Sequence, residues 1–320
     1  MKALICGVGG QDGAYLAREL LGRGYEVWGT SRDAQIAGFG NLQRLGVRGQ
    51  VTTRSMAPKD FRSVMSVLYD CEPDEVYFLS SQSSVGLSFE QPAETLESNC
   101  LGALNLMEAI RFLRKPIRFY HASSSECFGD VGKVPADEAT PFAPRSPYAV
   151  AKASAHWLVT NYREAYGLFA CNGILFNHES PLRPQRFVTR KIVSSAARIA
   201  AGSDEKLMLG RLDIVRDWGW APEYVQAMWM MLQHPVPRDF VISTGVACSL
   251  EQFVATVFEA AGLDWRRHVT SDRSLFRPTD IAWGQGDPAL AEKELGWKAR
   301  YHMPEVAREM LRVEIASASS

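Results

Sequence analysis

Short apolar runs alternate with longer amphipathic segments along the first 176 residues. The apolar runs are typical of strands buried on both faces; they comprise residues 2–6, 25–29, 51–53, 75–79, 117–121 and 169–176. The amphipathic segments carry apolar residues every three or four positions, as helices with one buried face do; they comprise residues 14–21, 60–68, 94–113 and 148–166. This alternation predicts a parallel sheet covered by helices on both faces.

The pattern loosens after residue 176, where proline and arginine become frequent. Helical periodicity returns at 188–200, 224–232, 250–261, 288–295 and 304–313, and residues 240–242 resemble a further strand. Residues 207–209 and 213–215 predict a small hairpin around Gly210. We therefore predict two domains: residues 1–176 plus about 213–246 form the larger one, and about 177–212 plus 247–320 form a smaller lobe.

A glycine-rich turn follows the first predicted strand. Gly7, Gly10 and Gly13 allow a tight turn, close approach of the backbone to a pyrophosphate, and contact between helix and strand. The next helix would point its N-terminus at the same anion. This turn favours dinucleotide binding over an ordinary loop.

The end of the second strand should select the cofactor. A carboxylate there binds the ribose 2′-hydroxyl of NAD, whereas an arginine suits the 2′-phosphate of NADP. Ser31 occupies this place and Arg32 follows it, which favours NADP, although Asp33 comes next.

Ligands of parallel sheets bind beyond the carboxyl ends of the strands. Four loops follow predicted strands, at residues 7–13, 80–83, 123–126 and 177–181. We expect them to converge on one crevice. The predicted fold class is α/β: a Rossmann-like doubly wound parallel sheet with a smaller C-terminal substrate-binding lobe.

Candidate catalytic groups lie in two of the segments beside this crevice. Tyr148 and Lys152 are four residues apart, so on a helix they share one face. A nearby ammonium favours the phenolate and makes a tyrosine a usable acid or base near neutrality. Ser124 and Glu126 add a hydroxyl and a carboxylate.

Composition narrows the choice of partners. Apolar residues make up 46% and charged residues 22%, which is ordinary for a globular enzyme. The net charge of −1 favours neither nucleic acid nor an anionic membrane as a partner, and no apolar run is long enough to span a bilayer. The six cysteines and six histidines are scattered. We expect no metal site, no signal peptide, and free thiols in a reducing cytoplasm.

Four motifs together closely resemble the GDP-mannose 4,6-dehydratases, a family of extended short-chain dehydrogenase/reductases. They are the glycine turn at 7–13, Ser-Ser-Glu at 124–126, Tyr-x-x-x-Lys at 148–152 and Asn-His-Glu-Ser-Pro at 177–181. Segments 187–191, 216–219 and 277–279 are also similar to that family, so the resemblance covers nearly the whole chain. It implies an NADP-dependent, redox-neutral conversion of GDP-mannose to GDP-4-keto-6-deoxymannose in deoxysugar biosynthesis.

In the reaction that this resemblance implies, NADP+ takes hydride from C4 of the mannose and returns it to C6 after water has left. Tyr148 would remove the 4-hydroxyl proton with help from Lys152, and Glu126 would remove the C5 proton. Ser124 and Glu126 would relay a proton to the departing water. The family has threonine where this chain has Ser124, so the hydroxyl is kept.

The resemblance also implies the binding residues and a homodimer or homotetramer. Those expected to contact NADP, besides Tyr148 and Lys152, are Gly7, Gly10, Gln11, Asp12, Gly13, Arg32, Ser55, Met56, Leu79, Ser80, Ser81, Gln82, His178 and Arg183. Those expected to hold the GDP-sugar, besides Ser124 and Glu126, are Ser83, Val85, Ser125, Asn177, Val188, Lys191, Leu209, Arg211, Arg216, Arg277 and Asp280.

Several departures from the family fall among the binding residues. Asp33 replaces an arginine of a loop linked to cofactor binding and tetramer assembly, and a carboxylate there would repel a 2′-phosphate. Ser55 and Met56 stand where relatives usually have an aspartate that holds the adenine, and Ser80 and Ser81 replace two alanines. The proton-transfer residues are unchanged in kind, so the reaction type is better supported than the cofactor preference.

Alternatives stay open. A 4-keto reductase, an epimerase, or a dehydratase of another GDP-sugar such as GDP-mannoheptose would share this fold, and so would a non-catalytic NADP-binding protein. Glu126 favours dehydration, because reduction and epimerisation do not need a carboxylate at C5.

Overall fold

The computed structural model describes residues 1–318, so the last two serines of the predicted second lobe, 319 and 320, lie outside the described residues. The strands are β1 Lys2–Cys6, β2 Glu26–Ser31, β3 Val51–Ser55, β4 Glu75–Phe78, β5 Arg118–Ser124, β6 Ala170–Leu175, β7 Asn177–Glu179, β8 Leu207–Leu209, β9 Val215–Trp220, β10 Phe240–Ile242, β11 Ala247–Ser249 and β12 Val269–Ser271.

The predicted helices lie close to their expected positions, and the structure adds two short helices that were not predicted, Gly40–Arg44 and Val85–Glu90. The helices are α1 Gln11–Gly22, α2 Gly40–Arg44, α3 Phe61–Cys71, α4 Val85–Glu90, α5 Pro92–Leu96, α6 Gly102–Leu113, α7 Pro147–Tyr166, α8 Val188–Ala200, α9 Ala221–Gln233, α10 Leu250–Ala260, α11 Ala289–Leu295 and α12 Met303–Ala318. A π turn at Glu97–Leu101 joins α5 to α6, where one long helix was expected. Within residues 1–318, no helix combines the length and the hydropathy that crossing a membrane requires.

Seven strands form one parallel sheet in the order β10-β6-β5-β4-β1-β2-β3. The chain runs outward from β1 to β3, then returns and runs outward on the other side from β4. The order therefore reverses between β1 and β4, which is the point where parallel sheets of this kind bind ligands. The predicted Rossmann-like doubly wound fold is confirmed.

Outside the large sheet, short pairings between distant segments form two small sheets, which together with α8, α10 and α12 we call the smaller lobe. β9 lies between β7, with which it is parallel, and β11, with which it is antiparallel. The predicted hairpin around Gly210 is wrong: β8 pairs in parallel with β12, and residues 213–214 precede β9. A separate apolar core of α8, α10 and α12 side chains supports these strands.

The predicted division into two domains stays a prediction. Some residues pack with the domain predicted for them, and others pack in the core of the other one. β10 joins the large sheet beside β6, as expected for residues 240–242. Ala291, Trp297 and Ala299, however, pack in the core of the large sheet rather than in that of the smaller lobe. Trp218 packs in the core of the smaller lobe.

The turn between β1 and α1 allows no side chain at Gly13. A Cβ there would meet the Gly7 carbonyl oxygen and would lie 2.7 Å from the Val8 Cα. We predict that Gly13→Ala lowers the free energy of unfolding by about 1–3 kcal/mol, because overpacking shifts the backbone, and abolishes cofactor binding. Urea unfolding and calorimetric titration would measure both effects. Gly22→Ala is the control: its Cβ meets nothing within 4 Å, and equal destabilisation by both variants would contradict the prediction.

Candidate active site

A cleft of about 760 Å³ lies at the carboxyl ends of the strands of the large sheet, against the smaller lobe. All four loops that were expected to converge contribute to its walls. The predicted site residues that line it are Gly7, Gly10, Gln11, Asp12, Gly13, Arg32, Met56, Leu79, Ser80, Ser81, Gln82, Ser83, Val85, Ser124, Ser125, Glu126, Tyr148, Lys152, Asn177, His178, Arg183, Val188, Arg216 and Arg277.

Five predicted residues have other surroundings. Ser55 Oγ accepts a hydrogen bond from the Ala34 amide at 2.9 Å. Leu209 is buried in the core of the smaller lobe. The other three are Lys191, whose Nζ donates to the Met208 carbonyl at 2.7 Å, Arg211, which pairs with Asp213, and Asp280, which pairs with Arg216.

The glycine turn leaves room for an anion at the start of α1. Gly7 has a φ of 89°, which favours glycine, and a Cβ on it would lie 2.9 Å from the Ser80 Cα. Gly10 precedes α1 and provides no side-chain cap for its first amides. The Ser80 hydroxyl is buried beside this turn without a hydrogen-bond partner among residues 1–318. The first amides of α1 and the Ser80 hydroxyl can donate hydrogen bonds to phosphate oxygens, and the glycines leave room for a pyrophosphate beside the backbone. This arrangement fits a dinucleotide.

His178 in β7 is charged and forms an ion pair with Asp12 in the first turn of α1. Its Nδ1 donates to the Phe176 carbonyl at 2.7 Å, and its Nε2 lies 2.9 Å from Asp12 Oδ2. Both partners accept hydrogen bonds, so both ring nitrogens carry protons. Burial opposes the charge on the imidazole, but Asp12 outweighs burial and the pKa of His178 is raised. The ring stacks on Tyr224 with centroids 4.6 Å apart.

The start of α7 sets the positions of Tyr148 and Lys152. Ser146 caps the helix through the Ala149 amide at 3.1 Å, and Pro147 occupies the first turn. Burial raises the pKa of the Tyr148 phenol, and a hydrogen bond with Ser124 opposes part of this rise. Burial lowers the pKa of Lys152 to about 8. The Lys152 Nζ lies 5.9 Å from the centroid of the Tyr148 ring.

Glu126 faces two guanidinium groups across the cleft. It lies on a short 3-10 turn that Ser124 caps, because the Ser124 Oγ accepts a hydrogen bond from the Glu126 amide at 3.3 Å. Burial raises the pKa of the Glu126 carboxyl, while Arg216 and Arg277 act in the opposite direction. A partly buried carboxylate beside a phenol and a hydroxyl has the components of general acid–base catalysis.

Comparison with known proteins identifies the family. A family model described as GDP-mannose 4,6 dehydratase matches residues 4–310. The GDP-mannose 4,6-dehydratase of Vibrio cholerae is 43% identical over an alignment of 351 positions, gaps included, which covers 99% of this chain and 94% of that protein. The chain belongs to the GDP-mannose 4,6-dehydratase family. The resemblance inferred from the motifs is thereby confirmed.

Solved structures show how widely this fold is shared. UDP-glucose 4-epimerase of Thermus thermophilus, in a complex with NAD, matches with a TM-score of 0.86 and 25% identity, covering 98% of this chain and 99% of that one. RMD of Pseudomonas aeruginosa, complexed with NADPH, matches with a TM-score of 0.81 and 22% identity, covering 99% of each chain. One of these neighbours binds NAD and the other NADPH, so the shared fold does not choose between the two cofactors.

The cleft of this family member also has wall residues that the motifs did not indicate, among them Lys59, Ser98, Arg186 and Ile214. Lys59 follows β3, so the rule that ligands bind at the carboxyl ends of strands could have indicated it. Ser98 lies in the π turn and accepts a hydrogen bond from the Gln82 amide at 3.2 Å. Nothing local in the sequence indicates that contact.

The ion pair between Asp12 and His178 makes stability depend on pH. His178 lowers the pKa of Asp12 from 3.8 to about 2 against the effect of burial, so this contribution is present above pH 3.8 and is lost as the pH falls towards 2. The pKa of His178 is raised, so its contribution is complete below its ordinary value of 6.5 and is lost as the pH rises through the folded-state pKa. The pair therefore stabilises most between these limits.

We predict that Asp12→Asn lowers the free energy of unfolding by about 2 kcal/mol near pH 5.5 and by less at alkaline pH. Urea unfolding across this pH range is the measurement. Asp70→Asn serves as the control, because Asp70 is an exposed residue of α3. A loss that is the same at every pH would show that the pair carries no net charge interaction.

Proposed function

We propose that this chain converts GDP-mannose to GDP-4-keto-6-deoxymannose with NADP as its cofactor, in the cytoplasm. The observation that carries the proposal is that Ser124, Glu126, Tyr148 and Lys152 line one cleft in a member of the GDP-mannose 4,6-dehydratase family. All six cysteines are free, which agrees with a reducing compartment.

Tyr148 would exchange the proton of the 4-hydroxyl group. Burial holds the phenol in its neutral form, so it needs a neighbouring positive charge to act as a base. Lys152 would supply that charge from one turn further along α7. The bound nicotinamide supplies reversible hydride acceptance, which makes the overall dehydration redox-neutral.

Glu126 would move the proton between C5 and the departing oxygen. Oxidation at C4 acidifies the C5–H bond, and the Glu126 carboxylate takes this proton. The C6 hydroxyl then leaves as water with a proton from the Glu126 carboxyl, and the Ser124 hydroxyl orients the exchange. C5 would regain a proton from solvent when C6 is reduced, and the 4-hydroxyl proton taken by Tyr148 would return to solvent. The raised pKa of Glu126 favours this double role, because its conjugate acid persists closer to neutral pH.

The two arginines of the cleft would play different parts in holding the GDP-sugar. Arg216 already has hydrogen-bond partners within the protein. Its Nη1 donates to the Ile281 carbonyl at 2.8 Å, and its Nη2 donates to Asp280 at 3.2 Å. Arg277 has a side chain that is 38% exposed and lies 3.7 Å from Asp280. We therefore assign the diphosphate contact chiefly to Arg277, whose planar fork matches phosphate oxygens.

Arg32 favours NADP over NAD at the end of β2. It lines the cleft, while Asp33 accepts hydrogen bonds from the Gln35 and Ile36 amides at 3.0 and 3.4 Å. The carboxylate is thus used within its own turn, which weakens the expected repulsion of a 2′-phosphate. These positions support NADP.

A homodimer or homotetramer is part of the proposal. α6 and α7 carry exposed large apolar residues, namely Phe112, Val150, Trp157 and Tyr166. Apolar side chains on two adjacent helices suit contact with a second copy of the chain.

Incubation with GDP-mannose and catalytic NADP+ tests the function directly. We predict a GDP-sugar product lighter by one water, with a 4-keto group and a 6-methyl group, detected by mass spectrometry and NMR. Glu126→Gln should lower kcat roughly 100- to 10,000-fold, the range for a lost general acid–base group, with cofactor affinity nearly unchanged.

Glu164→Gln, an exposed change on α7, is the matched control. Turnover of a pre-made 4-keto sugar but not of GDP-mannose would support a reductase instead. Turnover of another GDP-sugar alone would support a dehydratase of that sugar. Near-wild-type turnover by Glu126→Gln would refute the role of Glu126.

The cofactor preference has its own test. We predict that Arg32→Ala weakens NADP binding about tenfold or more and leaves NAD binding almost unchanged, since a charge-assisted hydrogen bond to phosphate contributes roughly 1.5–3 kcal/mol. Calorimetric titration with both cofactors measures this selectivity. Asp33→Asn is the companion variant, and a larger NADP gain from Asp33→Asn than the loss from Arg32→Ala would mean that Asp33 dominates the choice.

A further inference from the structure

The ammonium group of Lys152 is bound by two neutral oxygens. Its Nζ donates to the Ala122 carbonyl at 2.9 Å and to the Ser81 Oγ at 3.3 Å. Ala122 lies in β5 and Ser81 in the loop after β4, so two adjacent strand ends hold the side chain that α7 provides. Lys152 is only 5% exposed, so these bonds replace most of its contact with water.

The charged and titratable groups around Lys152 do little to stabilise its positive charge. Burial acts against its charge, and the groups that act in its favour are Cys127, Cys100 and Asp12. Burial raises the pKa of the Cys127 thiol to about 12 and also raises that of Cys100, so both are neutral near pH 7. Asp12 is already bonded to His178.

Two further titratable side chains adjoin Lys152. Burial lowers the pKa of His121, and Lys152 lowers it further, so this imidazole is neutral. Tyr148 is neutral for the same reason of burial. The ammonium therefore depends on the dipoles of Ser81 and Ala122 for its direct stabilisation.

We propose that Ser81 is a positioning residue that keeps Lys152 protonated and directed into the cleft. The inference rests on the proposed function, in which the charge of Lys152 lets Tyr148 act as a base. The Ala122 carbonyl belongs to the backbone, so it is present whatever residue occupies position 122. The Ser81 hydroxyl is therefore the hydrogen-bond partner that a substitution can remove. Its oxygen accepts from Lys152, and its own proton stays available to donate into the cleft.

The protonation of Lys152 can be measured without substrate or cofactor. The ¹³Cε resonance of lysine shifts when the amine loses its proton, and the Lys152 signal is assigned by its loss in Lys152→Gln. We expect the wild-type pKa near 8. Ser81→Ala should lower it by about one unit, because a hydrogen bond to the charged form is lost. Ser81→Thr keeps the hydroxyl and should keep the Lys152 pKa at its wild-type value. Ser154→Ala, an exposed change on α7, should also leave the Lys152 pKa unchanged.

The pH profile of kcat provides the second readout. Activity is present while Lys152 is charged and falls as the pH rises through its pKa, so the alkaline limb in Ser81→Ala should move to lower pH by the same amount. A merely structural defect would lower kcat at every pH and leave the limb in place.

The two readouts separate failure of this inference from failure of the proposed function. An unchanged Lys152 pKa in Ser81→Ala, or a lowered pKa with an unmoved alkaline limb, would overturn the role of Ser81 even if wild-type protein turns over GDP-mannose. A wild-type protein without turnover of any GDP-sugar would overturn the proposed function and the catalytic part of the inference, whatever the titration shows.

Discussion

Parallel pairing of the large sheet is the constraint on which the site depends. Because each crossover returns to the same edge, all loops that leave the strands at their carboxyl ends face one side of the molecule. The reversal of strand order between β1 and β4 separates the loops that follow these two strands, and this separation opens the cleft. The same reversal brings Gly7 against Ser80, a contact so close that only a glycine fits. The cleft is thus a consequence of topology, and its chemistry depends on which side chains the loops carry.

Burial then gives those side chains their reactivity. Removal of water disfavours every charge, so it raises the pKa of acids and lowers that of bases. Glu126 and Lys152 are both moved towards neutrality by this one cause. Asp12 and His178 escape it because they neutralise each other at 2.9 Å. The cleft therefore contains a charged pair that joins the two parts of the chain, beside two groups, Glu126 and Lys152, whose pKa values burial has moved towards neutral pH.

The strands of the large sheet and the long helices could be predicted because their patterns are local. The three-residue strand β7 could not, since Asn177 and His178 are polar and its partner β9 lies about 40 residues further on. The false hairpin has the same cause: β8 pairs with β12, some 60 residues away, and short apolar segments do not specify distant partners. The sequence predicted that Asp12 and His178 belong to the site, but not that they bond to each other across 166 positions. Only the packed fold shows which polar groups are already satisfied.

That distinction matters most for Lys152, because the kind of partner decides what the charge can do. A carboxylate would also stabilise a buried ammonium, but it would cancel most of the field that reaches Tyr148. A hydroxyl and a carbonyl stabilise the same charge as dipoles and leave its net value intact. The phenol of Tyr148 is held neutral by burial, so it needs a positive charge that is not compensated nearby. Neutral oxygens at 2.9 and 3.3 Å meet both requirements, since they keep the proton on Lys152 and leave its field directed at the cleft.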